Sequence, residues 1–248
     1  FSINPSKVKV GTFGLLFHRN TAAKIFDAYV AASQGDASGL ALLSIAYDYL
    51  VPSMSTWGES ASKAISADFD SSRDYRRDME VGNLPLGSPM SIMLWGPLKY
   101  SRWPTHLLPR EYRELRPSAV QTLLLSGSVD FSTPPAYATD DLLPYLSNAA
   151  QIIFAECGHV GDMWYANIEN IRLILTSFYN TGKPDVSKNS YIPMDFSVSW
   201  GFPRIAKAAL GAAAFLVLVL AALIVWFVRK LLVRYQIVRY QIPPGLSK

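Results

Sequence analysis

The longest apolar segment of the chain lies near its C-terminal end. From Ala209 to Val228, twenty consecutive residues are uncharged and almost all are apolar. A helix of that length is roughly 30 Å long, which matches the hydrocarbon core of a bilayer. Backbone polar groups in lipid must bond within the segment, which requires a helix. The pattern therefore predicts a transmembrane helix over residues 205–230, because a buried core helix rarely runs this long without a polar position.

Basic residues are distributed unequally around this segment. Arg204 and Lys207 precede it, whereas five basic residues and no acidic residue follow it: Arg229, Lys230, Arg234, Arg239 and Lys248. Because basic residues favour the cytoplasmic side, residues 231–248 are predicted to form a cytoplasmic tail and the globular part to lie outside the cytoplasm. The tail repeats one pentapeptide, VRYQI, from Val233 to Ile242. The repeat is compatible with an interfacial segment, a contact with a partner, or a lipid-facing tail.

The first half of the chain has apolar residues at helical spacing. This spacing predicts helices over Thr21 to Ser33 and Asp36 to Leu50, with Gly35 between them and Asp36 available as an N-cap. A third helix is predicted over Trp57 to Asp70. The density of Gly, Pro and Trp between Val81 and Pro109 favours packed loops. Residues 1–116 are therefore expected to form a mostly helical region.

The pattern changes after residue 117. Val120 to Leu125 and Gln151 to Phe154 are short apolar runs that predict buried, adjacent parallel strands. Helices are predicted over Pro135 to Leu146, between the strands, and over Ile168 to Tyr179, after them. This alternation predicts an α/β fold for residues 117–182, and residues 183–204, rich in proline, are expected to be a linker.

The net charge and the cysteine count argue against several classes of function for this chain. The formal net charge is +4, but subtracting the five basic residues after the apolar segment leaves −1 for the remainder. The chain therefore lacks the broad basic face of a nucleic-acid-binding protein. Cys157 is the only cysteine, so neither a disulfide within the chain nor a cysteine zinc cluster is available. We expect no metal or organic cofactor, and a lipid bilayer rather than nucleic acid as a partner.

Two motifs carry a resemblance to a known family. They are Thr122 to Pro135 (TLLLSGSVDFSTPP) and Gln151 to His159 (QIIFAECGH). Together they resemble the end of an α/β-hydrolase domain of the tripeptidyl-aminopeptidase and proline-iminopeptidase type. In that family a strand is followed by the acid of a catalytic triad, and a later strand is followed by the histidine. The resemblance implies that Asp130 is the triad acid and His159 the triad base, and that residues 1–116 occupy the position of a helical cap.

The chemistry of such a pair supports this interpretation. A general base with a pKa near neutrality works best when a carboxylate holds its ring in one tautomer. Asp130 and His159 each follow a predicted strand, so their side chains are expected within hydrogen-bond distance at one edge of the sheet. The alternatives are a turn-forming or capping aspartate and an ordinary loop histidine. The other histidines, His18 and His106, are expected to be packing or surface groups.

A serine nucleophile is missing from the pattern. A Gly-x-Ser-x-Gly elbow does not occur, and in the nearest segment, Gly35 to Gly39 (GDASG), Ser38 is one position late. Cys157 is expected to be structural. In the family that the motifs resemble, the serine comes before the acid and the histidine along the chain. The resemblance therefore implies that the serine lies before Phe1, in a preceding segment or in a separate N-terminal fragment, and the chain opens without a methionine. The sequence thus predicts the C-terminal portion of a membrane-anchored serine hydrolase acting on peptides or esters. The alternative is a catalytically inactive hydrolase-like subunit of a membrane complex.

Overall fold

The structure, a computed structural model, describes residues 3–54, 56–75, 77, 86–88, 94–95, 103–104 and 106–241, with side chains to residue 235. It divides into two compact units, Phe1–Pro203 and Arg204–Lys248. Most of the loop region predicted between Val81 and Pro109, and the end of the tail from residue 242, lie outside the described residues.

Four helices form the first part of unit one. They are α1 (Pro5–Leu15), α2 (Arg19–Ser33), α3 (Ser38–Leu50) and α4 (Trp57–Asp68). The α1 helix begins where Asn4 accepts hydrogen bonds from the backbone N–H groups of Ser6 and Lys7, with Pro5 in the first turn. Ile25 and Ala28 of α2 are fully buried and pack with Leu43 of α3. Burial of each large aliphatic side chain in such a cluster stabilises the fold by roughly 1.5–3 kcal/mol.

Two short strands follow. Strands β1 (Thr122–Gly127) and β2 (Ala149–Phe154) are parallel and in register from Thr122 opposite Ala149 to Gly127 opposite Phe154. Helices α5 (Gly161–Ala166) and α6 (Ile168–Thr181) come after β2. One hydrophobic cluster joins these elements, with the following buried residues: Ile152, Phe154, Cys157, Met163, Ile171 and Ile174. The adjacent parallel strands predicted from the two apolar runs are therefore confirmed.

The predicted fold class, the C-terminal part of an α/β-hydrolase sheet with a mostly helical cap, is wrong. The structure is 60% helical, and β1 and β2 form a sheet of two strands within the described residues. An α/β sheet needs several parallel strands with helices covering both faces. The sequence contains only two apolar runs of strand length in this region, and each of them pairs with the other. Two strands and their connection do not specify a larger sheet.

The connection between the strands also differs from the prediction. Instead of one α-helix over Pro135 to Leu146, the chain forms a π-helical segment (Tyr137–Leu142) and a 3-10 turn (Leu143–Tyr145). Pro144 lies in that turn and lacks the N–H that would continue an α-helix. The helix α1 and the short α5 were not predicted at all. In α1 the buried residues Val8, Val10 and Thr12 are two positions apart, which is not the spacing of a single helical face.

Unit two is dominated by one long helix. Helix α7 (Phe202–Gln241) has 40 residues. Its segment Phe202–Tyr235 is long and apolar enough to cross a membrane. The most apolar stretch of 18 residues within it has a mean hydropathy of 2.8, and none of that stretch is buried. A fully exposed apolar helix is unfavourable in water. The backbone of the VRYQI repeat continues this helix as far as Gln241.

Candidate active site

The ends of the two strands bring the predicted site residues together. Strand β1 ends at Gly127, three residues before Asp130, and β2 ends at Phe154, five residues before His159. Parallel strands place their carboxyl ends at the same edge. At that edge Gly127 lies against the backbone of Cys157 and Gly158, so closely that a Cβ atom at Gly127 would collide with both carbonyl oxygens. A glycine at this position therefore allows the two loops to meet.

The Asp130 carboxylate is buried and fully engaged in hydrogen bonds. Its Oδ1 accepts from the backbone N–H groups of Ser132 and Thr133 at 2.9 and 3.0 Å. Its Oδ2 accepts from the Thr133 hydroxyl and contacts Nδ1 of His159, each at 2.8 Å. The side chain is 5% exposed. The turn-forming role considered for Asp130 is thus present, but it coexists with the contact to His159.

These hydrogen bonds determine the charge of Asp130. Burial alone raises the pKa of this carboxyl group. The bonds from the backbone and hydroxyl of Thr133, together with His159, outweigh burial and lower the pKa below its ordinary value. Asp130 is therefore ionised at neutral pH and faces the imidazole as a carboxylate.

The hydrogen bonds also assign the tautomer of His159. Oδ2 of Asp130 is an acceptor only, and the Thr133 hydroxyl, which lies 3.2 Å from Nδ1, gives its own proton to Asp130. Both neighbours of Nδ1 therefore accept, and the neutral ring carries its proton on Nδ1. Nε2 is left as a lone-pair acceptor with no hydrogen-bond partner in the described part of the chain. The side chain is 30% exposed, so a reacting group can approach it.

The loop that carries His159 is held by the turn between α1 and α2. The backbone N–H of His159 donates to the carbonyl of Phe17 at 2.8 Å, and the Phe17 ring lies 4.9 Å from the imidazole, centroid to centroid. Phe17 also stacks on Phe131 and meets Phe13 edge to face. The helical part of unit one thus supplies an aromatic wall beside the imidazole.

A buried ion pair between Arg19 and Asp162 also holds the loop that carries His159. Asp162 accepts from the backbone N–H of Gly158 at 2.8 Å and from Nε of Arg19 at 3.4 Å. The side chains of Arg19 and Asp162 are 9% and 7% exposed. Removing one partner of such a pair typically costs about 3–5 kcal/mol, because the other charge is left buried without compensation.

Cys157 is a structural residue. It lies in the core cluster, and its Sγ is 2.8 Å from the guanidinium of Arg19. Burial raises the pKa of the Cys157 thiol, and the nearby Arg19 only partly offsets that effect. The thiol is therefore protonated at neutral pH and is not the thiolate that nucleophilic catalysis requires.

None of the described residues provides a nucleophile to His159. Ser38 begins helix α3, where its hydroxyl donates to Asp36 at 2.6 Å. The Thr133 hydroxyl is on the Nδ1 side of the imidazole and is committed to Asp130. His18 precedes α2 with its ring beside Gly161, and His106 is exposed. These two histidines are thus a packing group and a surface group, as predicted.

A cavity of about 170 Å³ is lined in part by Cys157, and neither Asp130 nor His159 lines it. It is bounded by β2, the start of α6 and the segment after α6. The segment after α6 belongs to residues 183–204, which were predicted to be a linker, and it is hydrogen-bonded to the rest of unit one. The carbonyl of Ile192 accepts from Arg19 at 2.9 Å, and the side chain of Asn189 accepts from Asn170 at 3.0 Å.

The predicted contact between Asp130 and His159 is confirmed, and their catalytic roles remain a prediction. Thr133 contacts both residues and lies within the first motif, but its role was not predicted. The contacts of Phe17, Arg19 and Asp162 were not predicted either. Of these three residues, only Asp162 lies close to His159 in the sequence, three positions later.

A comparison of the chain with protein-family models, with curated proteins and with solved structures finds no match.

Proposed function

We propose that Asp130 and His159 are the acid and the base of a Ser-His-Asp triad in a membrane-anchored serine hydrolase. One observation carries the proposal: a buried, ionised Asp130 contacts Nδ1 of His159 at 2.8 Å, while Nε2 is unpartnered among the described residues. This is the arrangement in which an imidazole accepts a proton from a nucleophile. The two motifs that resemble the peptidase family support the same assignment.

In the proposed reaction, Nε2 of His159 removes the proton of a serine hydroxyl as the oxygen attacks a peptide or ester carbonyl. Asp130 stabilises the imidazolium that forms. The imidazolium then gives the proton to the leaving amine or alcohol, and an acyl-enzyme remains for hydrolysis. The serine is proposed to lie outside the 248 residues, in a preceding segment or a separate fragment.

The apolar length of α7 indicates where in the cell this activity is located. We propose that α7 crosses a bilayer once, with the globular part outside the cytoplasm and the basic tail inside. The excess of basic residues after the apolar segment supports this orientation.

A serine-directed fluorophosphonate probe tests the proposal on the full-length protein in its membrane. We expect the wild type to be labelled, His159→Ala to lose labelling, and Asp130→Asn to react about 10⁴-fold more slowly because the imidazole tautomer is no longer held. His106→Ala, which removes an exposed histidine, is the matched control and should be labelled like the wild type. Equal labelling of all four proteins, or of none, would exclude the hydrolase and leave an inactive membrane subunit.

A further inference from the structure

The helix α7 has a charged surface at the end of its apolar run. Arg229 and Lys230 follow Val228 directly, Arg234 comes four residues after Lys230, and all three are exposed. At 100° per residue they lie within about 140° of the helix circumference. Leu231, Leu232 and Tyr235 cover the opposite side. We call the first three residues the basic face of α7.

The basic face has the depth of a lipid headgroup layer. Arg229 and Arg234 are separated by roughly 7.5 Å along the helix axis. The polar region of one leaflet is about 5–8 Å thick. If the apolar residues up to Val228 fill the hydrocarbon core, the three cations all lie at the level of the headgroups.

An aromatic contact fixes one of these cations at the boundary. Nζ of Lys230 lies 4.9 Å from the centroid of the Trp226 ring, one helical turn earlier. Indole rings prefer the interface between hydrocarbon and headgroups. The cation–π contact therefore holds the ammonium group beside that interface instead of letting it extend into water.

The charge of the partner follows from the sequence around the basic face. Asp195 is the last acidic residue of the chain, so α7 contains no carboxylate to neutralise these cations. We propose that the basic face binds the phosphate and carboxylate groups of anionic phospholipids in the leaflet at the C-terminal end of α7. The proposal rests on α7 crossing the membrane, and it adds a lipid selectivity that a simple anchor would not have.

The test measures lipid selectivity of the full chain reconstituted in phosphatidylcholine vesicles. Trace spin-labelled phosphatidylserine or phosphatidylcholine is added, and electron spin resonance gives the association constant of each lipid with the protein. We expect phosphatidylserine to be preferred by about fivefold or more at low salt. The preference should fall toward one in 1 M NaCl, where exposed charges are screened.

Two triple variants assign the preference to the basic face. Arg229→Gln with Lys230→Gln and Arg234→Gln should abolish it. The control, Arg172→Gln with Lys183→Gln and Lys188→Gln, removes three exposed cations from unit one and should retain it. A preference that survives in the first variant, or is absent from the wild type, overturns the proposal.

Alkaline carbonate extraction separates this proposal from the proposed membrane span. A protein that stays in the vesicles but shows no lipid preference contradicts only the lipid-binding face. A protein released by carbonate contradicts the span, and the lipid-binding face with it.

Discussion

At the residue scale, Thr133 is the group that keeps Asp130 charged in a buried position. It donates both its backbone N–H and its hydroxyl to the carboxylate. Burial would otherwise favour the protonated acid, which is a weaker acceptor than a carboxylate for the proton on Nδ1 of His159. The charge of the acid and the orientation of the base therefore depend on one short turn.

This arrangement predicts how stability depends on pH. Because the pKa of Asp130 is lowered in the folded protein, its charge contributes stability above the ordinary carboxyl pKa of about 3.9. That contribution is lost as the pH falls through the lower, folded value. Melting temperatures of the full chain in detergent should show Asp130→Asn well below the wild type at pH 6, with the difference narrowing below about pH 4.

Asp140→Asn is the matched control, since it removes an exposed carboxylate from the connection between the strands. It should melt like the wild type at every pH. A difference between Asp130→Asn and the wild type that stays constant from pH 6 to pH 3 would contradict the lowered pKa.

Single residues also show what the sequence could reveal about the site. Asp130 and His159 each follow an apolar run, and parallel pairing of those runs was enough to predict their contact. Phe17 and Arg19 lie more than a hundred residues earlier. Their contacts with the His159 loop depend on how the helices pack against the strands, and no local pattern encodes that.

At the element scale, Gly127 allows the end of β1 to approach the Cys157–Gly158 backbone. Gly127→Ala places a methyl group against two carbonyl oxygens that belong to a packed loop. We expect the free energy of unfolding to fall by roughly 1–3 kcal/mol, because the loops must separate. Thermal or denaturant unfolding of the full chain measures this loss.

Gly14→Ala is the control, because a Cβ atom there meets nothing within 4 Å and Gly14 lies inside helix α1. Alanine at that position should leave stability unchanged or raise it by about 0.5–1 kcal/mol. Equal stability of Gly127→Ala and the wild type would contradict the close approach of Gly127 to the backbone of Cys157 and Gly158.

Helices and strands were predictable from the sequence where one spacing of apolar residues dominates a segment. The apolar spacing of α2, α3 and α6 and the runs of β1 and β2 were all recognised, with ends shifted by a few residues. The number of strands in the sheet was not predictable, because a strand pattern specifies which segments are extended but not how many of them assemble. Two glycines and the irregular spacing of buried residues in α1 left no helical signal.

At the scale of the whole molecule, α7 and the charges around it predict an orientation. Protease added to sealed, right-side-out membranes should digest the globular part and leave a C-terminal epitope attached to a protected fragment. Detergent treatment should remove that protection. Protection of the globular part in sealed membranes would reverse the proposed orientation, although the apolar length of α7 would still be sufficient for a span.

The central claim is that Asp130 holds His159 with its proton on Nδ1 and Nε2 available as a base. Nitrogen NMR of the full chain with ¹⁵N-labelled histidine tests it directly. For the neutral imidazole of His159, we predict a protonated Nδ1 and an unprotonated Nε2, with its signals identified by their loss in His159→Ala. The Nδ1 preference should disappear in Asp130→Asn. A proton on Nε2 in the wild type would contradict the account, because the nitrogen needed to accept a proton from serine would already carry one.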